Sequence, residues 1–283
     1  MSEREYCSQG NPNETLAGTA PHVDVWLLLE YRPVWRARAH QDNELSPDVR
    51  GWLDGAISLL SEAGFRPRLQ FIRQPEIDHT DTRLFVAVAD RLLMFSGTGY
   101  DFLADLDLLQ IVQQPDLAPR LEEPRYFVCT NGQRDVCCAR FGLRSYTALR
   151  ERVGDRVWQI THLGGHRFAP NLLVFPDAAM YGRVSEDEVS GFVDRVEAGE
   201  WDFVRLRGRC RYPTHVQAAE VAAARSDLKL LHVEGNEQTA QITLSGADHT
   251  VKIAVQRSSR AIATVKSCGA EAEAVYPYSC QRL

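Results

Sequence analysis

The sequence predicts an α/β (α+β) chain in which one order of elements runs twice and a smaller β-rich segment follows. Three observations carry this expectation. Short apolar runs bounded by polar residues, such as Asp24 to Glu30 and Arg125 to Cys129, have the pattern of buried strands. Stretches with apolar residues at helical spacing separate those runs. The order that begins at Asp24 starts again roughly 100 positions later, at Arg125. Of the 283 residues, 44% are hydrophobic and 25% charged, which is enough apolar material for a sizeable core.

Taken in order, Asp24 to Glu30 is the first strand. A helix entered at Ser46, with Pro47 at its first position, shows a stripe of Val49, Trp52, Leu53, Ala56, Ile57 and Leu60, and Gly64 closes it. Arg68 to Arg73 is a second strand, and Arg83 to Ala89 with Arg91 to Ser96 is a hairpin turning near Asp90. A helical pattern runs from Phe102 to about Val112. The second round has a strand at Arg125 to Cys129, a helix at Leu143 to Val153 and a strand at Val157 to Thr161. A strand pair follows at Asn171 to Pro176 and Ala179 to Val184. Ser185 and Glu188 form a capping box before a stripe of Val189, Phe192, Val193 and Val196, which Gly199 ends. Strand, helix, strand, hairpin, helix is the order of a thioredoxin-like domain. The expectation is therefore two thioredoxin-like units in tandem, packed as a pseudo-dimer.

Beyond Gly199 the pattern changes. Arg205, Arg207, Arg209 and Arg211 crowd around Cys210, Pro213 to Arg225 reads as a helix, and Leu228 to Val265 alternates between apolar and polar residues. Gly235, Gly246 and Asp248 mark turns there. The expected division is 1–117 for the first unit, 118–200 for the second, and 201–283 for a helix and small β-rich C-terminal extension. No low-complexity linker separates them.

A net charge of −6 gives no chain-wide attraction to nucleic acid or anionic lipid. No apolar run approaches the ~18–20 residues of a membrane helix, and the first residues lack the apolar stretch of a signal peptide. Seven scattered cysteines do not read as a secreted disulfide framework, so a reducing cytoplasm is the expected compartment.

Chemistry concentrates in two short segments, Cys129-x8-Cys138 and His162-x3-His166. Two thiolates and two imidazoles are a complete ligand set for zinc, or for an iron–sulfur cluster with mixed ligation. Cys129 ends a strand and Cys138 falls just before the expected helix, so the loop between them reads as a metal-binding loop. Gly164 and Gly165 argue against a helical histidine pair, because glycine costs about 1 kcal/mol relative to alanine in a helix. Zinc motifs usually space their cysteines by two to four residues, whereas eight intervene here. The adjacent Cys137 could replace Cys138 or form a vicinal thiol pair with it. Cys210 and Cys280 read as small hydrophobes, and His22, His40, His79, His215, His232 and His249 as ordinary surface or core histidines.

On these residues the chain resembles the sucrase/ferredoxin-like family. The resemblance rests on Glu14-Thr-Leu-Ala-Gly-Thr-Ala-Pro21 followed by Trp26-Leu-Leu-Leu-Glu30, and above all on the central segments. Those are Cys129-Thr-Asn-Gly-x-Arg134-Asp135-x-x-Cys138 and His162-x-Gly-Gly-His166-Arg-Phe-Ala-x-Asn171. Arg207-Gly-Arg209, Tyr212-Pro213 and Gln217-Ala-Ala-Glu220 form a further matching segment. The resemblance implies a 2Fe-2S cluster in the second unit, held by Cys129, Cys138, His162 and His166. It implies an electron carrier rather than a self-contained enzyme, with unidentified redox proteins as donor and acceptor. The alternatives are a redox or pH sensor, a reductase component and a structural zinc protein. No carboxylate pair is arranged for glycoside hydrolysis.

Neutral imidazoles in place of anionic thiolates ease electron uptake, and imidazole ligands can couple it to protons. Arg134, Arg140, Arg144 and Arg167 are candidates for docking an acidic partner, or are simply solvated or paired. Asp135 is a candidate for orienting Arg134 or a ligand. The sequence gives no reading of oligomeric state.

Overall fold

The computed structural model describes residues 6–10, 12–78 and 80–283. After a short helix α1 (Cys7–Gly10), the first unit runs β1 (Val25–Glu30), α2 (Pro47–Glu62), β2 (Pro67–Arg73), β3 (Asp81–Val88), β4 (Arg91–Thr98) and α3 (Leu108–Gln113). The second runs β5 (Arg125–Cys129), α4 (Val136–Val153), β6 (Val157–Ile160), β7 (Asn171–Phe175), β8 (Ala179–Gly182) and α5 (Val189–Glu197). Then come β9 (Leu206–Arg209), α6 (Thr214–Ala223), β10 (Lys229–Gly235), β11 (Thr239–Ser245) and β12 (Thr250–Arg257). The chain ends with β13 (Ile262–Val265), β14 (Ala272–Val275) and β15 (Tyr278–Arg282).

Both units pair their strands alike. β1 is parallel to β2 and antiparallel to β3, which pairs β4; β5 is parallel to β6 and antiparallel to β7, which pairs β8. The units join edge to edge through β2 and β6, which are antiparallel over only Ile72↔Ile160 and Arg73↔Gln159. The result is one nine-stranded sheet in the order β4-β3-β1-β2-β6-β5-β7-β8-β9. The β9 strand extends this sheet although it lies past position 200.

That short junction lets the sheet fold over on itself. Neighbouring strands lie about 4.8 Å apart, so a flat sheet would hold β3 and β5 roughly 19 Å from each other. Yet Phe85 on β3 and Phe127 on β5 meet edge to face at 5.7 Å, and Phe85 meets Trp158 at 5.4 Å. The two units therefore press their inner faces together. Trp26, Leu28, Phe85, Phe127, Trp158 and Phe175 fill this shared layer. Each such aromatic pair adds about 1 kcal/mol beyond the area it buries. The alternate strand residues face outward to the helices: Val25, Leu27 and Leu29 toward Leu53, Ala56 and Leu60, and Tyr126 and Val128 toward Tyr146 and Leu149.

Two helices differ from the sequence expectation. The Phe102–Val112 pattern is split into a 3-10 turn at Asp101–Asp105 and α3, because the Asp107 carboxylate caps the Gln110 N–H and starts a new helix. The α4 helix starts at Val136 rather than Leu143, with Asp135 as its cap. At the C-terminal end, α6 packs its Val216, Ala219 and Ala223 under a four-stranded sheet, β10-β11-β12-β15. The β13–β14 hairpin stands apart from that sheet, and Val265 at its edge packs near Cys7, Cys137 and Cys268. Among the described residues, no helix is long and apolar enough to cross a membrane.

Candidate metal centre

Cys129 is the last residue of β5, and strand alternation turns it toward the inner layer with Phe127. Six residues later the Asp135 carboxylate accepts from the Cys137 N–H at 2.9 Å and starts α4. Cys138 therefore sits in the first turn of a helix rather than in the loop before it. The sequence hid this start because Gly142 interrupts the helical pattern. A side chain at Gly142 would run into the Cys129 carbonyl oxygen, so glycine is what lets α4 lie against the end of β5. The result is a Cys129 Sγ–Cys138 Sγ distance of 3.5 Å.

The His162 Nδ1 atom completes a compact group, 4.0 Å from each sulfur. His166 lies beside it, with ring centroids 4.7 Å apart and planes 33° from parallel. The three atoms of Cys129, Cys138 and His162 lie within 4.8 Å of one another, and His166 falls outside that group. The His166 Nδ1 atom is buried without a hydrogen bond, although Asp135 Oδ2 approaches it to 3.4 Å. Cys137, the neighbour that could have replaced Cys138, turns the other way, toward Cys7 at 3.6 Å and Cys268 at 3.3 Å.

The Cys129 and Cys138 thiols share a hydrogen bond, and their interaction holds the Cys129 thiol well below its ordinary value and pushes that of Cys138 up. Burial, followed by the neighbouring His162, lowers the His166 imidazole and favours its neutral, metal-binding form. Burial opposes the charge on Asp135, but hydrogen bonds from the Cys268 and Cys137 amides outweigh it and hold the carboxyl below its usual range.

The histidine loop is braced from behind. Arg68 donates to the carbonyls of His162 at 3.2 Å and Leu163 at 2.9 Å. Arg207 donates to Gly164 O at 2.8 Å, and the Asn171 amide to Gly165 O at 2.9 Å. Arg207 also bonds Asn171 Oδ1 and Thr19 O, so one fork ties the loop to β7 and to the N-terminal segment. Gly165, at φ +73°, has no alternative here, because an added Cβ would lie 2.7 Å from Arg207 Nη2. Burial lowers the Arg207 guanidinium to about 9, so it stays charged at neutral pH. Arg207 was visible in the sequence as one of the arginines around Cys210 and within the family segment, but neither gave its role as a brace, and nothing in the sequence pointed to such a role for Arg68.

The other expectations fall out unevenly. Arg167 is occupied by Glu14 in a forked ion pair, and Glu14 also accepts from Thr264. Arg144 pairs with Glu186, and Arg140 lies over the Tyr6 ring. Arg134 lies on an open cleft with Arg38, His40, Arg68, Asn131 and His162. Asp135 faces His166 and the cysteines. Cys210 is fully buried in the inner layer, where burial pushes its thiol up to about 12, and Cys280 is half-buried on β15. His215 is buried and His232 exposed, while His79 lies outside the described residues.

A mixed α/β chain with a large curled sheet, carrying grouped cysteines and a histidine fit to bind a metal at its strand ends, is the class these features define. The chain belongs to the sucrase/ferredoxin-like family, whose pattern matches residues 16–208. It is similar to two proteins named Altered inheritance of mitochondria protein 32. The one from Meyerozyma guilliermondii is 31% identical over 106 residues, covering 33% of this chain and 38% of its own length. The one from Debaryomyces hansenii is 33% identical over 82 residues, covering 25% and 30%. The chain thus matches about a third of the length of these relatives. Among solved structures it is similar to a variant of the thioredoxin-like [2Fe-2S] ferredoxin from Aquifex aeolicus. That likeness has a TM-score of 0.27 at 20% identity, and covers 30% of this chain and 97% of the ferredoxin.

Proposed function

We propose that this chain is a 2Fe-2S electron-transfer protein whose cluster is held by Cys129, Cys138, His162 and His166. The observation that carries the reading is the arrangement of four buried or half-buried donors at one end of the curled sheet, with two thiols 3.5 Å apart and two imidazole rings side by side. The donor set fits the group. Thiols at that spacing can share one metal ion, and the His166 Nδ1 atom, buried without a hydrogen bond, is a ring nitrogen that a metal could engage. When bound, a 2Fe-2S cluster supplies one-electron transfer.

The protein's own part is electrostatic and positional. Neutral imidazoles and the nearby Arg68 and Arg207 cations favour added negative charge and so raise the reduction potential. The carbonyl braces on the histidine loop fix its orientation before a metal arrives. His162 is partly exposed on the Arg38–Arg134 cleft, which gives the candidate site an opening to solvent and to a partner. The cleft carries Asp54 as its one carboxylate among the described lining residues, which suits an acidic redox partner.

A second reading, a single structural zinc ion, is favoured by the close approach of His162 Nδ1 to both sulfurs at 4.0 Å. The His162→Cys variant separates the two. An iron–sulfur site keeps its visible colour and its potential falls, because an anionic thiolate replaces a neutral ring. A zinc site stays colourless in both proteins.

A further inference from the structure

Three cysteines that the metal-centre reading leaves unused meet at one point. Cys7 lies in α1, Cys137 in the first turn of α4 and Cys268 in the loop between β13 and β14, so the chain brings together residues 7 and 268. Their sulfurs lie 3.6 Å (Cys7–Cys137), 3.3 Å (Cys137–Cys268) and 3.6 Å (Cys7–Cys268) apart. Asp135 is the fourth member, with Oδ1 3.4 Å from Cys268 Sγ, and the four donor atoms all lie within 4.8 Å of one another.

These spacings suit one tetrahedral ion. Thiolates about 2.3 Å from zinc lie roughly 3.8 Å from each other, and a carboxylate oxygen at about 2.1 Å lies roughly 3.6 Å from each sulfur. The three sulfur–sulfur separations and the Asp135–Cys268 separation are a few tenths of an ångström tighter, and the remaining donor pairs lie within 4.8 Å, so filling the site asks for small adjustments of these side chains. A disulfide would need two of the sulfurs at about 2.05 Å and would leave the third unused.

The surroundings already serve anionic donors. The Cys7 N–H donates to Cys268 Sγ at 3.4 Å, and the Ser8 hydroxyl to Cys137 Sγ at 3.4 Å. The start of the 18-residue helix α4 points its positive end at the group. Asp135 is oriented by the Cys137 and Cys268 amides and by the Ser267 hydroxyl at 3.1 Å, leaving carboxylate lone-pair capacity for a metal.

We propose that Cys7, Cys137 and Cys268, with Asp135 as fourth donor, form a binding site for one zinc ion, separate from the Cys129/Cys138/His162/His166 centre. Two of its three thiols lie outside residues 16–208, the part that matches the family. The site is therefore a property of this chain's terminal segments. Three thiolates and a carboxylate are a soft, anionic set that selects zinc over magnesium or calcium. The ion would clasp α1 and the β13–β14 loop onto the start of α4.

The test measures zinc, iron and acid-labile sulfide together on the full chain, for the wild type and for Cys7→Ser and Cys268→Ser. The wild type is expected to hold about one zinc per chain that survives gel filtration. Each variant is expected to lose at least nine-tenths of it while iron and sulfide stay unchanged. Cobalt added to the zinc-stripped wild type should give intense thiolate charge-transfer absorption, with no variant required, and the Cys7→Ser protein should give much less. Zinc below a tenth of an equivalent after reconstitution would overturn the proposal. So would equal zinc in the wild type and both variants, or a disulfide joining two of these cysteines in protein prepared under reductant. A wild type without iron and sulfide that still holds about one zinc, lost in both variants, would count against the iron–sulfur reading alone, so the two failures are distinguishable.

Discussion

The first and second units share strand order, hairpin and flanking helices, yet among the described residues only the second carries the candidate Cys129/Cys138/His162/His166 centre. The difference lies in how each connects its first strand to its first helix. In the second unit, residues 130–135 lead directly from Cys129 into α4, so that Cys138 comes back over the strand end. In the first, residues 31–46 wander before α2 begins, and the strand ends in Glu30, whose carboxylate is taken by Arg32 and the Arg83 amide. The helices differ too. Gly142 lets α4 touch the Cys129 carbonyl, whereas Gly51 and Gly55 of α2 face open space. One scaffold thus serves as a structural partner in one copy and frames the candidate ligands in the other.

The sharpest break of this comparison is at the ligands. Cys138→Ser is expected to abolish iron binding by the full chain, while Glu30→Gln at the matching strand end of the first unit leaves iron and sulfide content unchanged. Equal loss in both would mean the site depends on the whole sheet rather than on the local frame.

The helix glycines come next in size. Gly142→Ala forces a Cβ against backbone and is expected to cost about 1–3 kcal/mol in denaturant unfolding, with reduced iron loading. Gly55→Ala enters open space in a helix and is expected to stabilise by about 0.5–1 kcal/mol. Matching signs for the two would refute the close-approach argument.

The loop brace should give a smaller effect. Arg207→Lys keeps the charge but loses the fork that serves Gly164 O, Asn171 and Thr19, and is expected to cost about 1–3 kcal/mol of stability. Because the histidine loop then loses its support, the reduction potential should change as well. An unchanged potential would show that the brace serves only the fold.

The pH dependence of the metal-free chain is the mildest prediction. Burial lowers His166 and His215 in the folded protein, so the unfolded chain binds more protons in the window just below the ordinary histidine value of about 6.5. Stability is therefore complete above that value and falls as the pH drops through the lowered folded values. Thermal melting between pH 7.5 and 5.5 should show a shallower decline in His166→Gln than in the wild type. A parallel decline would remove His166 from the account.

Much of this was legible in the chain, and the gaps have physical causes. Strand runs and the Ser185–Glu188 box were readable because burial alternation and capping are local. The four candidate ligands were readable because they form two close pairs in sequence. The start of α4 was not, since its first turns are built of Cys137, Cys138 and Gly142, whose reason for being helical is contact with Cys129. The inward fold of the sheet was invisible because it depends on a two-pair junction between β2 and β6. The Cys7–Cys137–Cys268 group was hidden by sequence distance alone, and so was the hold of Arg68 on the histidine loop.

The most direct test of the central claim is the iron and acid-labile sulfide content of the anaerobically prepared full chain, read with its visible and paramagnetic resonance spectra before and after reduction. The account predicts equal iron and sulfide, a coloured oxidised protein and a resonance signal that appears on reduction and is lost in Cys138→Ser. A colourless protein that is silent in both states, with zinc in place of iron at Cys129 and Cys138, would contradict it.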